Sequence, residues 1–428
     1  MQTNRRIRDS IDSKVFKISV EAQLTRLVLA SMLWEKQFYL DGESHVDLIK
    51  ALVPKVDSAV VAQLAITARK EYKLRHIPLL LCRELARINQ LDAQTLFEVV
   101  QRADEMGEFL AIYWLEGRSP LSNQVKKGLA LSFGTFNEYQ LAKYNKDSAS
   151  VSIRDVMFLC HPKPTSQEQE ALFKRVANKQ LKTPDTWETQ LSGGADKAET
   201  FQRLMTEKKL GALAFLRNLR NMVNACVPES AIRQYGALVN VDRVLPFRYI
   251  AAARIVPQFE DMLEAMMFRS LKDSAKLPGK TVLLVDISGS MFGTKVSAKS
   301  DLDRFDAAGA LAMLCAEICE TVEIYSFSDA TARVAPRRGF ALVEAISNSQ
   351  QHNGTEIGRA VALANAVGYD RVIVISDEQS HDVVGKPLTN KAYMLNVASY
   401  KNGVNHGAWT TVTGFSESVL EYIRAVEQ

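Results

Sequence analysis

With 428 residues, 47% hydrophobic and 24% charged side chains, the chain is expected to be a folded protein of two or more domains, not a disordered or membrane one. No apolar run approaches the roughly 20 residues that a membrane span needs, and the charged start MQTNRRIRDSIDSKVFKI lacks an export signal's apolar core and cleavage site, so no membrane association and a cytoplasmic location are expected. The net charge of +4 is unevenly spread: residues 1–280 carry 41 Lys and Arg against 32 Asp and Glu, a net of +9, and residues 281–428 carry 12 against 17, a net of −5.

From about residue 20 to 270 apolar residues recur at helical spacing. EAQLTRLVLASM sets Leu24, Leu27, Val28 and Met32 on one face, and IPLLLCRELARINQ sets Leu81, Leu85 and Ile88 on another, with Pro78 near its first turn. Such segments follow one another across short breaks, LDGESH and EGRSPLS among them. An array of helices stacked like a solenoid is predicted, without a strict sequence period. Within it, residues 125–164 interleave Lys126, Lys127, Lys143, Lys146, Arg154 and Lys163 with Phe136, Tyr139 and Tyr144. Residues 201–250 hold eight basic side chains (Arg203, Lys208, Lys209, Arg217, Arg220, Arg233, Arg243, Arg248) against three acids, Glu207, Glu229 and Asp242. Cations neutralise phosphates and aromatics stack on unpaired bases, so both stretches suit a polyanion. The structural alternatives are a solvated surface, core-edge aromatics at Tyr139 and Tyr144, and ion pairs at Arg217 and Arg220.

After SLKDSAKLPGK the texture changes. TVLLVD, TVEIYSF, RVIVIS and AYMLNVA are short β-rich runs separated by helical stretches. That alternation predicts a doubly wound parallel sheet, with ligands at the carboxyl ends of its strands. The expected division is a helical domain over residues 1–275 and the sheet domain over 280–428. Of the five cysteines, Cys315 and Cys319 sit one helical turn apart in an apolar stretch, with no second pair or nearby histidines for zinc. Buried free thiols are expected.

The run VLLVDISGSM ends in Asp286, Ser288 and Ser290 at alternate positions. HNGTEIG adds Thr355 just before a helix, and RVIVISDEQS ends a strand at Asp377. Two carboxylates and three hydroxyls suit a hard cation, Mg²⁺ with Mn²⁺ as the alternative. A phosphoaspartyl hydrolase needs a second aspartate where Ser288 stands. PGKT at 278–281 lacks its Walker glycine, which falls on Ser274, and the strand follows that motif instead of preceding it. A serine nucleophile needs a positioned base, for which His352 and His381 are the nearby residues, but no nucleophile-elbow pattern surrounds the serines.

DISGSM with the later Thr355 and Asp377 resembles the metal-ion-dependent adhesion site of von Willebrand factor A domains, over residues 280–428. The polar stretch FGTKVSAKSDLDRFD departs from that pattern while leaving the ligands in place. The helical part, through LVLASMLWEKQFYLDG, LAKYNKDSASVSIRDVMFLCHPKP, RNLRNM and LPFRYIAAAR, resembles the TROVE module of the Ro autoantigen and its bacterial relatives, which is followed by just such an A domain. The resemblance implies a ring of HEAT-like repeats closed by a Rossmann-like A domain. It implies a monomeric RNA-binding scaffold and no catalysis, with small structured Y-like RNA on its basic surface and single-stranded ends of misfolded or immature RNA as ligands, in RNA quality control, maturation or decay. It further implies a 3′-to-5′ exoribonuclease partner, polynucleotide phosphorylase. Lys143 and His161 match RNA-contacting positions of the family; Arg154, Lys163, Lys126, Lys127, Arg217 and Arg220 join them as candidate contacts. Beside that role His161 has a structural one, as the cap of the preceding helix. Two rival functions stand: a metal-dependent protein adaptor that captures a partner's acidic side chain, and an enzyme acting on phosphate esters through the same cation.

Overall fold

The computed structural model describes residues 19–30, 43–145, 149–242, 244, 247–272, 275–295, 302–377, 379–398, 408–413 and 418–427. Met32, Lys146, Arg243, residues 296–301 of the polar stretch, residues 31–42 of LVLASMLWEKQFYLDG and residues 245–246 of LPFRYIAAAR lie outside them. The chain divides into two compact units, Met1–Pro184 and Asp185–Gln428.

In the first unit helices succeed one another from Val20–Ala30 to Gln167–Ala177. Their starts are written in short polar side chains: Asp57, Asp92, Ser122, Asn137, Ser152 and Ser166 each accept a backbone N–H of the first turn. Leu24 and Val28 are fully buried, as their spacing predicts. The helix His76–Arg87 departs from the single apolar face expected of it, because every residue from Ile77 to Ala86 is buried. It is a central helix, and Arg83 and Glu84 enter the interior as an ion pair, which offsets part of the cost of burying either charge alone.

The second unit begins with further helices, Trp187–Ser192 through Glu260–Leu271. The change from helix to sheet falls between Leu271 and Leu277, where the sequence texture changes, and lies inside this unit. The Glu264 carboxylate accepts the Phe340 N–H at 2.8 Å, and the Arg338 guanidinium lies 3.9 Å over the Phe268 ring, so helical and sheet segments are joined directly. The strands are β1 Leu277–Asp286, β2 Cys319–Phe327, β3 Thr331–Arg333, β4 Arg371–Ser376, β5 Ala392–Asn396 and β6 Thr410–Thr413, in the order β3-β2-β1-β4-β5-β6. The sheet is mixed where a parallel one was expected: β3 is an antiparallel edge strand on β2. The short β3 and β6 escape the sequence reading. β1 is paired in parallel on both sides, to β2 and β4. Val282 and Leu284 pack with Ile357, Ala360 and Val361 of the helix Ile357–Val367, and the helix Arg304–Ile318 also packs on β1. Helix cover on a central strand is why Thr281–Asp286 reads as unbroken burial, not alternation.

All five cysteines are free; four are buried, and Cys226 is exposed against expectation. No helix among the described residues is long and apolar enough to cross a membrane.

Candidate functional site

Asp286 closes β1 and Ser376 closes β4, its neighbour in the sheet. The fully buried Asp286 carboxylate takes the Ser376 hydroxyl on Oδ2 at 2.6 Å and the Ser288 N–H on Oδ1 at 2.8 Å. Burial pushes this carboxyl up to about 6, with the nearby Asp377 adding to the rise against the opposing hydrogen bonds. Ser288 Oγ and Ser290 Oγ stand 3.2 Å apart. The loop carrying Thr355 is tied to the same end of the sheet: Gly289 N–H donates to Asn353 O at 3.2 Å, and Glu356 N–H donates to Ser328 O at 2.8 Å. The Phe292 ring is sandwiched between Phe305 at 4.6 Å and His352 at 4.0 Å, which locks the first loop against the second. Thr355 and Asp377 are each 4% exposed.

The structure therefore gathers Asp286, Ser288, Ser290 and Asp377 at the carboxyl ends of β1 and β4, with the Thr355 loop bonded beside them to Gly289 and Ser328. It adds two residues that the sequence reading missed. Ser376 was legible as the last residue of RVIVIS, one step before Asp377. Arg304, at the start of the helix Arg304–Ile318, carried no such signal: its Nη1 donates to Asp377 Oδ2 at 2.7 Å.

The donor set fits a hard divalent cation. Asp286 has only neutral donors and no cationic partner among the described residues, a costly state for a buried carboxylate. Two oxygens bound side by side on an octahedral ion at about 2.1 Å are about 3 Å apart, close to the observed serine pair. No cluster of three or more His, Cys, Asp or Glu side chains suited to a metal occurs among the described residues, so a cation here would need the hydroxyls beside the two carboxylates. Neither histidine hydrogen-bonds a serine of the motif: His352 Nε2 is 2.8 Å from Ser347 O, and His381 Nδ1 is 3.4 Å from the Thr355 N.

The basic residues sort by their partners. In the first unit Lys126, Lys127, Lys143 and Lys163 are exposed and have no ion-pair partner among the described residues. Lys143 lies over the rings of Tyr139 at 5.7 Å and Tyr144 at 5.8 Å. Tyr139 is exposed, Tyr144 is half-buried beneath Arg102, and Phe136 belongs to the core. Arg154 is engaged internally, with Nε donating to Ala177 O at 2.8 Å and the guanidinium over Phe158. His161 is exposed and ends the helix Ile153–Cys160 in a left-handed conformation, φ 49°, so it does cap that helix through its backbone.

In the second unit the basic stretch is less free than its composition suggests. Arg203 and Lys209 are held by Asp185 and Glu207, and Arg233 by Glu229 and Asp261. Arg217 and Arg220 are exposed, one helical turn apart, and neither has an ion-pair partner among the described residues.

Residues 176–266 match the TROVE domain family. No curated protein sequence matches the chain significantly. Among solved structures, the RO (RSR) protein of Deinococcus radiodurans is similar with a TM-score of 0.70 at 18% identity, over 95% of this chain and 99% of that one.

Proposed function

We propose that this chain, a TROVE-domain protein with the fold of a bacterial Ro protein, is an RNA-binding scaffold. Its ligands are small structured Y-like RNAs and single-stranded ends of misfolded or immature RNAs, and its role is RNA quality control, maturation or decay beside a 3′-to-5′ exoribonuclease. The observation that carries this reading is the TROVE match at residues 176–266 within a chain that shares the Ro fold along 95% of its length. The exposed cations Lys126, Lys127, Lys143, Lys163, Arg217 and Arg220, which have no ion-pair partner among the described residues, support it, because charges without a countercharge are the ones available to phosphates.

We read the sheet as a von Willebrand factor A domain whose Asp286, Ser288, Ser290, Thr355 and Asp377 would hold Mg²⁺, directly or through water. The ion, when bound, supplies a Lewis-acidic position for an oxygen ligand. Asp286 and Asp377 would provide the countercharge, the serine hydroxyls, 3.2 Å apart, would add neutral oxygen ligands, and the Phe292 stack holds the loops in register.

The test is purification from native cells at low salt, with the 260/280 nm absorbance ratio recorded and bound RNA sequenced. Parallel preparations carry Lys143→Ala with His161→Asn, and Asp286→Ala. Asparagine tolerates the left-handed backbone of position 161, whereas alanine adds about 1 kcal/mol of strain. The expected outcome is a discrete small RNA that the Lys143/His161 variant loses. Proteins that copurify only while Asp286 is intact, in the absence of any RNA, would replace the scaffold by a metal-dependent adaptor.

A further inference from the structure

We infer that Arg304 is an internal cation of the DISGSM site, whose guanidinium holds the place at Asp377 that a divalent ion competes for, and so sets how tightly the site takes metal. The inference rests on reading the cluster as a cation site.

Three observations carry it. The Arg304 side chain is 6% exposed, and the Asp377 side chain it meets at 2.7 Å is fully buried. The same Nη1 lies 3.5 Å from the carbonyl oxygen of Ser290, so the guanidinium sits between two residues of the cluster. Its backbone is fixed as well: Arg304 N–H donates to Thr294 O at 3.0 Å, the neighbouring Phe305 ring stacks on Phe292, and Asp303 caps the helix by accepting the Asp306 N–H at 2.7 Å. The arginine is a built part of the site, unlike a surface side chain that drifts into contact.

Charge counting gives the consequence. Among the described residues of the cluster, Asp286 and Asp377 bring two negative charges, and Arg304 returns one positive. A divalent ion added with Arg304 in place leaves a net positive charge in a buried cluster, which is costly; without Arg304 the two carboxylates and the ion balance. Metal entry therefore has to displace the guanidinium from Asp377 or bear its repulsion. Either route weakens binding relative to the same oxygen set without the arginine. Breaking a buried guanidinium–carboxylate pair is itself expensive unless another cation takes its place.

The probe is Mn²⁺ alone, titrated into the full chain and followed by calorimetry and by the paramagnetic resonance signal of the free ion. The proteins are wild type, Arg304→Gln, Arg304→Lys, and Arg304→Gln combined with Asp286→Asn. Arg304→Gln is expected to bind Mn²⁺ at least tenfold more tightly than wild type. Arg304→Lys stays near wild type because the positive charge remains, and adding Asp286→Asn abolishes the gain. Thermal melts give an independent reading: metal-free Arg304→Gln melts below wild type, and Mn²⁺ raises its Tm by more than it raises that of wild type. If Arg304→Gln does not fold, Arg304→Met repeats the comparison with the buried stem kept and the charge removed. Wild-type binding that Arg304→Gln leaves unchanged or weakens overturns the inference alone, as does Arg304→Lys binding as tightly as Arg304→Gln. Absence of Mn²⁺ binding in every variant overturns the cation-site reading and this inference together.

Discussion

Salt dependence separates the free cations from the paired ones. Consider a quadruple variant in which Lys126, Lys127, Lys143 and Lys163, exposed and without ion-pair partners among the described residues, become glutamine. Each phosphate contact contributes about 0.7 to 0.9 to the slope of log affinity against log salt, so loss of four contacts flattens the slope by about 3. Between 50 and 200 mM salt a slope difference of about 3 corresponds to about a 60-fold difference in how far affinity falls. The control is Arg203→Gln with Lys209→Gln, two basic residues from a stretch equally basic in composition, which as phosphate contacts would flatten the slope by about 1.6. There Arg203 lies 2.9 Å from Asp185 and 3.1 Å from Glu207, and Lys209 lies 3.1 Å from Asp185. These charges already have countercharges, so the control slope stays within about half a unit of wild type. The assay is fluorescence anisotropy with a labelled RNA recovered from the native protein, at four salt concentrations. An unchanged slope in the quadruple variant, or flattening of the control by about 1.6, would refute the assignment of phosphate contact to the free lysines over the paired ones.

Other consequences follow from the same contacts. Mg²⁺ at ten times its Kd adds about 1.4 kcal/mol to wild-type stability, and Asp286→Ala removes that gain; an equal thermal shift in the variant would remove the metal from this site. Glu427→Gln strips the buried Arg371, which has no exposed side-chain surface, of its charged partner, and costs about 3 kcal/mol by urea titration. The Arg371 pairing holds the Glu427 carboxyl below its usual value despite its partial burial. Its stabilisation is therefore complete above the ordinary glutamate range and is lost as pH falls through the lowered value, an acid limb that Glu427→Gln lacks. Gly358→Ala drives a methyl group into the carbonyl of Val383 and toward Asp382, whose carboxylate caps the helix Ile357–Val367 through the Gly358 and Arg359 N–H groups at 2.8 Å. A loss of about 1–3 kcal/mol is expected from thermal melts, and a neutral result would mean that the loop yields without strain.

What the sequence alone determined is the local chemistry. The unbroken apolar run before Asp286 predicted a buried strand, and the alternation of strands and helices after residue 280 predicted the sheet that carries it. Asp286, Ser288 and Ser290 were legible because spacing along one strand end is a property of the chain itself. So were the helix starts, where a serine or aspartate reaches only two or three residues ahead. Tertiary structure decided everything that depends on who meets whom. Arg304 and Asp377 are 73 residues apart, and no periodicity announces that a guanidinium will enter the cluster. The basic stretch at 201–250 looked uniform, yet Asp185, Glu207, Glu229 and Asp261 neutralise Arg203, Lys209 and Arg233 while Arg217 and Arg220 have no ion-pair partner among the described residues. Composition fixes how many charges a segment carries. Whether a charge faces a countercharge or solvent is settled only when distant parts of the chain pack together, because Coulomb interactions at contact distance outweigh those along the sequence.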